Sequence, residues 1–180
     1  MNSETIGIIA ERYLGSASCE DYVEWAKACL AANVDSKSLR ILASLQKPLY
    51  SSEVDDYFYR SLNELGWTMT EERECLFQYA RQVAQQILSN ELPPREGCRK
   101  IYRIGDALGY PGDLIAWLYL DEGLDPSGLS DLHGASWDEA IRSEAGRLLP
   151  IHCDGRGARG GASQGVAEGR GGGRHGALAP

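Results

Sequence analysis

Residues 71–89 read EERECLFQYARQVAQQILS. Leu76, Ala80, Val83, Ala84, Ile87 and Leu88 recur within this stretch at steps of three and four, the spacing that lines one face of an α-helix; a half-buried strand would alternate every second residue. Glu71, Glu72 and Glu74 crowd its start, where carboxylates meet the partial positive charge of a helix N-terminus. Thr68 or Thr70 supplies the expected cap. Pro93 and Pro94 close the segment and open the next, because a proline in a first turn lacks only an N–H that had no partner there. A helix of this length with one oily face needs other such faces to bury it.

The same spacing continues in both directions. Upstream, a helix from Ser51 or Ser52 places Val54, Phe58, Leu62 and Leu65 in one stripe, and Gly66 stands where a left-handed terminal residue is wanted. Before it, a short helix capped by Asp35 carries Leu39, Ile41, Leu42 and Leu45 and must finish ahead of Pro48. A helix opening at Ser18 sets Tyr22, Ala26, Cys29 and Leu30 on one face, and Ile6, Ile9, Ala10 and Tyr13 follow a Ser3 cap up to Gly15. Downstream, residues 94–108 present Ile101, Tyr102, Ile104 and Leu108. Residues 114–120 are apolar on all sides, as expected of a central helix at the heart of the core. Ser136, Trp137, Asp138 and Glu139 then spell a capping box ahead of Ala140, Ile141, Ala145, Leu148 and Leu149. No clear period-two strand and no fixed repeat interrupts the series. The expectation is an all-α domain over residues 3–149, an irregular or orthogonal bundle of about eight helices.

Residues 150–180 break the pattern. Residues 151–180 hold ten glycines and no aromatic residue, with Ile151, Val166 and Leu178 as their only aliphatic side chains larger than alanine. Such a segment buries too little surface to offset its ordering entropy, so a disordered Gly/Arg/Ala-rich tail is expected. Its two RGG triplets, at 159–161 and 170–172, suggest RNA binding, but four arginines without a ring to stack on argue against that. Gly, Ala, Arg and Pro are encoded by codons rich in G and C, and the abrupt break after EAIRSEAGRLLP fits the product of a shifted reading frame. His152, Cys153 and Asp154 are not expected to bind metal.

Charge separates along the same boundary. The formal net charge is −8; Arg156, Arg159, Arg170 and Arg174 against Asp154 and Glu168 give the tail +2, so the helical part carries −10. An acidic body repels phosphate backbones, which sets nucleic acid aside as a partner and favours a basic protein surface. The start, MNSETIGIIAERYLG, has neither the basic opening nor the apolar run of a signal peptide, and no stretch approaches a membrane span. A cytoplasmic location is expected. Cys19, Cys29, Cys75, Cys98 and Cys153 form an odd, widely spaced set without a C-x-x-C pair, as buried and reduced thiols do.

No motif for chemistry emerges. Carboxylates cluster at Glu20/Asp21/Glu24, Glu53/Asp55/Asp56, Glu71/Glu72/Glu74 and Asp121/Glu122/Asp125, but helix first turns and solvated faces account for nearly all of them. There is no Glu-x-x-His and no H-E-x-x-H, so neither a metal nor a cofactor is expected. GYPGD at 109–113 follows a helix and lacks the ending of a phosphate loop. Helices two and three are close enough for a helix–turn–helix, yet Lys37 and Arg40 alone make poor DNA contacts. His133, in the loop DLHG at 131–134, is the one histidine before the tail; it makes an enzyme with a site near residues 121–135 the alternative class. A structural or scaffolding subunit is a further alternative.

The fourth helix offers the more specific surface. At 100° per residue from Phe58, Tyr59 falls at about +100° near Asp55 and Asp56, and Tyr57 at about −100° near Glu53 and Glu64. Tyrosine gives large rigid contact area and carboxylates speed encounter with a cationic partner, so Tyr57, Tyr59, Asp55 and Asp56 are the expected protein-binding residues. With SKSLRILASL, SEVDDYF and SLNELGW, residues 20–149 resemble a type of small all-helical bacterial protein with no assigned activity. That resemblance implies a bacterial origin. In charge and class the chain is also similar to small acidic proteins that neutralise toxins. A non-enzymatic, acidic module that docks a basic protein, with an immunity or antitoxin role, is the functional expectation.

Overall fold

Short polar side chains fix where several of the helices begin. In the computed structural model, which describes residues 1–69, 71–128 and 130–149, Asn2 Oδ1 accepts the Thr5 N–H at 2.9 Å and opens α1, Ser3–Tyr13. Ser18 and Asp21 bond reciprocally to open α2, Cys19–Ala31. Ser36 Oγ accepts the Leu39 N–H at the head of α3, Lys37–Ser44. In α1 and α3 the cap stands one residue from the one expected. Ser3 is already helical, and Asp35 is engaged by Arg40, whose Nε and Nη2 donate to its two oxygens at 2.7 Å.

The remaining helices are α4, Ser51–Glu64; α5, Glu72–Leu88; α6, Pro94–Ala107; α7, Ile115–Asp121; and α8, Gly134–Leu148. After α4 the chain turns through Gly66 at φ 66°, a left-handed conformation open to glycine, and Asn33 and Asn90 adopt it after α2 and α5. Helix α5 starts at Glu72, later than a Thr68 cap implies, and Thr70 lies outside the described residues. Helix α8 starts two residues before Ser136, which occupies its third position and accepts the His133 N–H at 3.3 Å. The described residues contain no strand, only an isolated antiparallel bridge between Leu124 and Asp131. The chain is thus an all-α bundle of eight helices over this span, and the expectations for residues 150–180, including Cys153, lie outside the described residues.

Two groups of helices share the core. Helices α2, α3 and α4 pack on one another, α5 to α8 form the second group, and α1 lies against both α2 and α5. Phe58 of α4, fully buried, meets Tyr22 and Trp25 of α2 edge-on with ring centres 4.8 and 5.0 Å away. Leu76, Ala80, Val83, Ala84 and Ile87 form the buried stripe of α5, as the spacing of 71–89 requires.

Helix α7 is not the central element expected from its composition. Leu114, Trp117 and Leu120 are buried, but Ile115 is exposed and Ala116, Leu118 and Tyr119 are only partly covered. Seven residues make barely two turns, and α7 packs on α6 and α8 alone, so its outward side has no helix to cover it.

Candidate functional site

Because Phe58 points into the core, its neighbours Tyr57 and Tyr59 fall on opposite flanks of α4. Tyr59 remains 38% exposed, with its ring 5.7 Å from that of Phe58. Arg12 reaches over from α1 to lie 5.0 Å above the Tyr59 ring, and its Nη1 donates to Asp55 Oδ1 at 2.5 Å and to Tyr22 Oη at 3.0 Å. Burial opposes the guanidinium charge there, but its bonds to Tyr22 and Asp55 outweigh this and hold its pKa above the ordinary arginine value. The backbones of α1 and α4 do not pack directly, so this Arg12 cluster links the two helices through side chains.

On the other flank Arg60 pairs with Asp56 at 3.0 Å and stands 6.0 Å from the Tyr57 ring. Glu64 turns toward α3, accepting the Ser38 N–H at 2.8 Å and the Ser38 hydroxyl at 2.7 Å. Those two bonds depress its pKa below the usual carboxylate range. The four residues expected from sequence therefore form two pairs, Tyr59 with Asp55 around Arg12, and Tyr57 with Asp56 around Arg60. Each aspartate is offset by an arginine. Glu72 is an exposed acid that enters no ion pair among the described residues. Its charge, after burial and Cys75, helps push up the pKa of Tyr13, which also feels Tyr59.

A groove of about 310 Å³ opens beside Tyr59, lined also by Leu62, Asn63, Trp67 and Met69. The left-handed turn at Gly66 makes it: the Trp67 N–H donates to Leu62 O at 2.9 Å, folding the connection back along the end of α4. Trp67 and Met69 are partly buried against the core and partly open to the groove. Neither was expected at a site. Their signal is GWTM at 66–69, two large apolar side chains within a connection between helices.

His133 stands exposed as the N-cap residue of α8. The loop before it is pinned by Leu132 N–H to Gly123 O at 2.6 Å and by Asp125 N–H to Ser130 O at 2.8 Å. Cys29, Cys75 and Cys98 are buried in helices and Cys19 is half-buried, all as free thiols. In the three buried thiols burial raises the pKa, that of Cys75 to about 11 with help from Glu74 and that of Cys98 to about 12 with help from Asp121. Burial is also the main cause of the rise at Cys29. Among the described residues no group of three or more His, Cys, Asp or Glu side chains is placed to hold a metal ion, and no helix is long and apolar enough to cross a membrane.

No family model matches the chain. No curated protein and no solved structure matches it either, which agrees with a resemblance that carries no assigned activity.

Proposed function

We propose that the chain is a non-enzymatic protein-binding module that docks a basic protein, in the manner of a small immunity or antitoxin protein. The groove beside Tyr59 carries this reading. An exposed aromatic ring next to a hollow of about 310 Å³, lined by Leu62, Trp67 and Met69 together with Asn63 and Thr68, suits the seating of a partner's side chain. Arg12, held by Asp55 and Tyr22, stiffens the Tyr59 ring from one side, so little ordering remains to be done on binding. Since Asp55 and Asp56 are already paired, the pull on a cationic partner comes from Glu72 and the net negative charge of the helical body, while Tyr57 offers a separate contact on the opposite flank of α4.

Affinity capture with the full chain from a lysate of its source organism tests this. A specific partner of high isoelectric point is expected, released progressively between about 50 and 300 mM salt. Tyr59→Ser and Trp67→Ala should weaken capture about tenfold or more through faster dissociation, and Glu72→Gln should slow association. A partner that is acidic, or one retained equally by Tyr59→Ser and Trp67→Ala, overturns the proposal.

A further inference from the structure

We propose that a second hollow, between α5, the turn before α7 and the end of α8, binds a small apolar amino acid as its zwitterion. This cleft has a volume of about 420 Å³, within the range of small-molecule sites. Phe77 and Arg81 enter it from successive turns of α5, Glu144 and Leu148 from successive turns of α8, and Asp113 from the turn between α6 and α7. Glu144 is the one buried charged residue among the described residues, at 9% exposure. Its ion-pair partner is Arg147, 3.0 Å away and 68% exposed. A carboxylate is withdrawn from water at a free-energy cost that a largely solvated partner offsets poorly. Arg81 and Asp113, which line the same cleft, enter no ion pair among the described residues.

The cleft thus combines two carboxylates, two guanidinium groups and an apolar wall. A simple anion would face Glu144 and Asp113, a simple cation would face Arg81 and Arg147, and a wholly apolar ligand would answer neither the carboxylates nor the guanidinium groups. An α-amino acid satisfies them together: its ammonium donates to the carboxylates, its carboxylate accepts from a guanidinium, and its side chain lies against Phe77 and Leu148. The cleft shares no lining residue with the Tyr59 groove, so the two sites are independent.

Calorimetry and thermal-shift measurements on the full chain, with L-leucine, L-methionine and L-phenylalanine as probes, decide the matter. At least one of the three is expected to bind, and its N-acetyl and carboxamide derivatives, each lacking one charge, should bind at least about tenfold more weakly. Arg81→Gln and Glu144→Gln should each reduce affinity by a similar factor. Gly112→Phe provides a variant that leaves the buried charge in place, since Gly112 lines the cleft, its φ lies outside the left-handed region, and a Cβ there meets nothing within 4 Å. It should abolish binding without lowering thermal stability. Absence of binding by all three amino acids at about 10 mM, equal binding of the blocked derivatives, or full affinity in Gly112→Phe overturns the proposal.

Discussion

Gly97 occupies the first full turn of α6, and a Cβ built on it would lie 2.5 Å from both Cγ1 and Cδ1 of Ile87 and 3.2 Å from Cδ2 of Leu92. Ile87 is fully buried, so it has no free direction in which to retreat. The close corner between α5 and α6 therefore depends on a missing side chain. Alanine at position 97 would gain about 1 kcal/mol of helix propensity but overpack the corner by about 1–3 kcal/mol. A net loss of about 1 kcal/mol is expected for Gly97→Ala in urea unfolding. Ile87→Ala alone should lose about 2–5 kcal/mol through the cavity it leaves. Combined, the two changes should lose at least about 0.5 kcal/mol less than their sum, because the new methyl enters the vacated space. Strict additivity would show that Ile87 does not hold α6 at this distance. In the sequence Gly97 is only a weak helix former; the contact that requires it belongs to the partner helix.

Helices themselves were legible from apolar spacing, because each stripe records a face that must be covered; all eight appear where Phe58, Leu76, Ile104 and their neighbours place them. What spacing does not record is how many neighbours a helix has, and the apolar run at 114–120 consequently suggested a central position that α7 does not hold. A local cap is legible where its reciprocal partner stands in the next turn, as Ser18 with Asp21 shows, but in α1 and α3 the cap lies one residue from the one expected, and a cap delivered from another helix leaves no local signal. Glu64 is such a cap: it lies 26 positions from Ser38, whose N–H and hydroxyl it accepts at the head of α3. Those bonds favour the ionised form, so its pKa is lower in the folded chain than in the unfolded one. The stability it contributes is fully present above the unfolded value of about 4.3 and is lost as pH falls through the depressed folded value. Glu64→Gln should accordingly flatten the acid limb of a stability-against-pH curve below about pH 5, while the wild-type chain falls more steeply there. Parallel acid limbs for the two proteins would mean that the bond to Ser38 contributes nothing in solution.

At the scale of the molecule, sequence located Tyr59, which is exposed, and Tyr57, which is half-buried, but not the charges that answer their acids. Arg12 lies 43 positions from Asp55, and only the packing of α1 against α2 and α5 carries it across to α4. The groove completed by Trp67 and Met69 was hidden for the same reason, since it exists only once the chain folds back at Gly66. Pairing leaves a large imbalance in place, because residues 1–149 carry a net charge of −10 and the ion pairs among them are mostly solvent-exposed. Exposed pairs each contribute about 0–1 kcal/mol and weaken as salt screens them, whereas the repulsion among surplus carboxylates is relieved by the same screening. The second effect acts over many pairs of like charges at separations of about 10 Å and more, where the Debye length falls from about 20 to 7 Å as sodium chloride rises from about 20 to 200 mM. It therefore wins: stability should rise by about 1 kcal/mol over that range, seen as an increase of about 2–4 °C in Tm. Glu72→Gln, which removes one surplus charge, should raise Tm at low salt and shrink the salt response. A Tm that falls with added salt would show that the paired charges, and not the surplus ones, dominate the electrostatics of the fold.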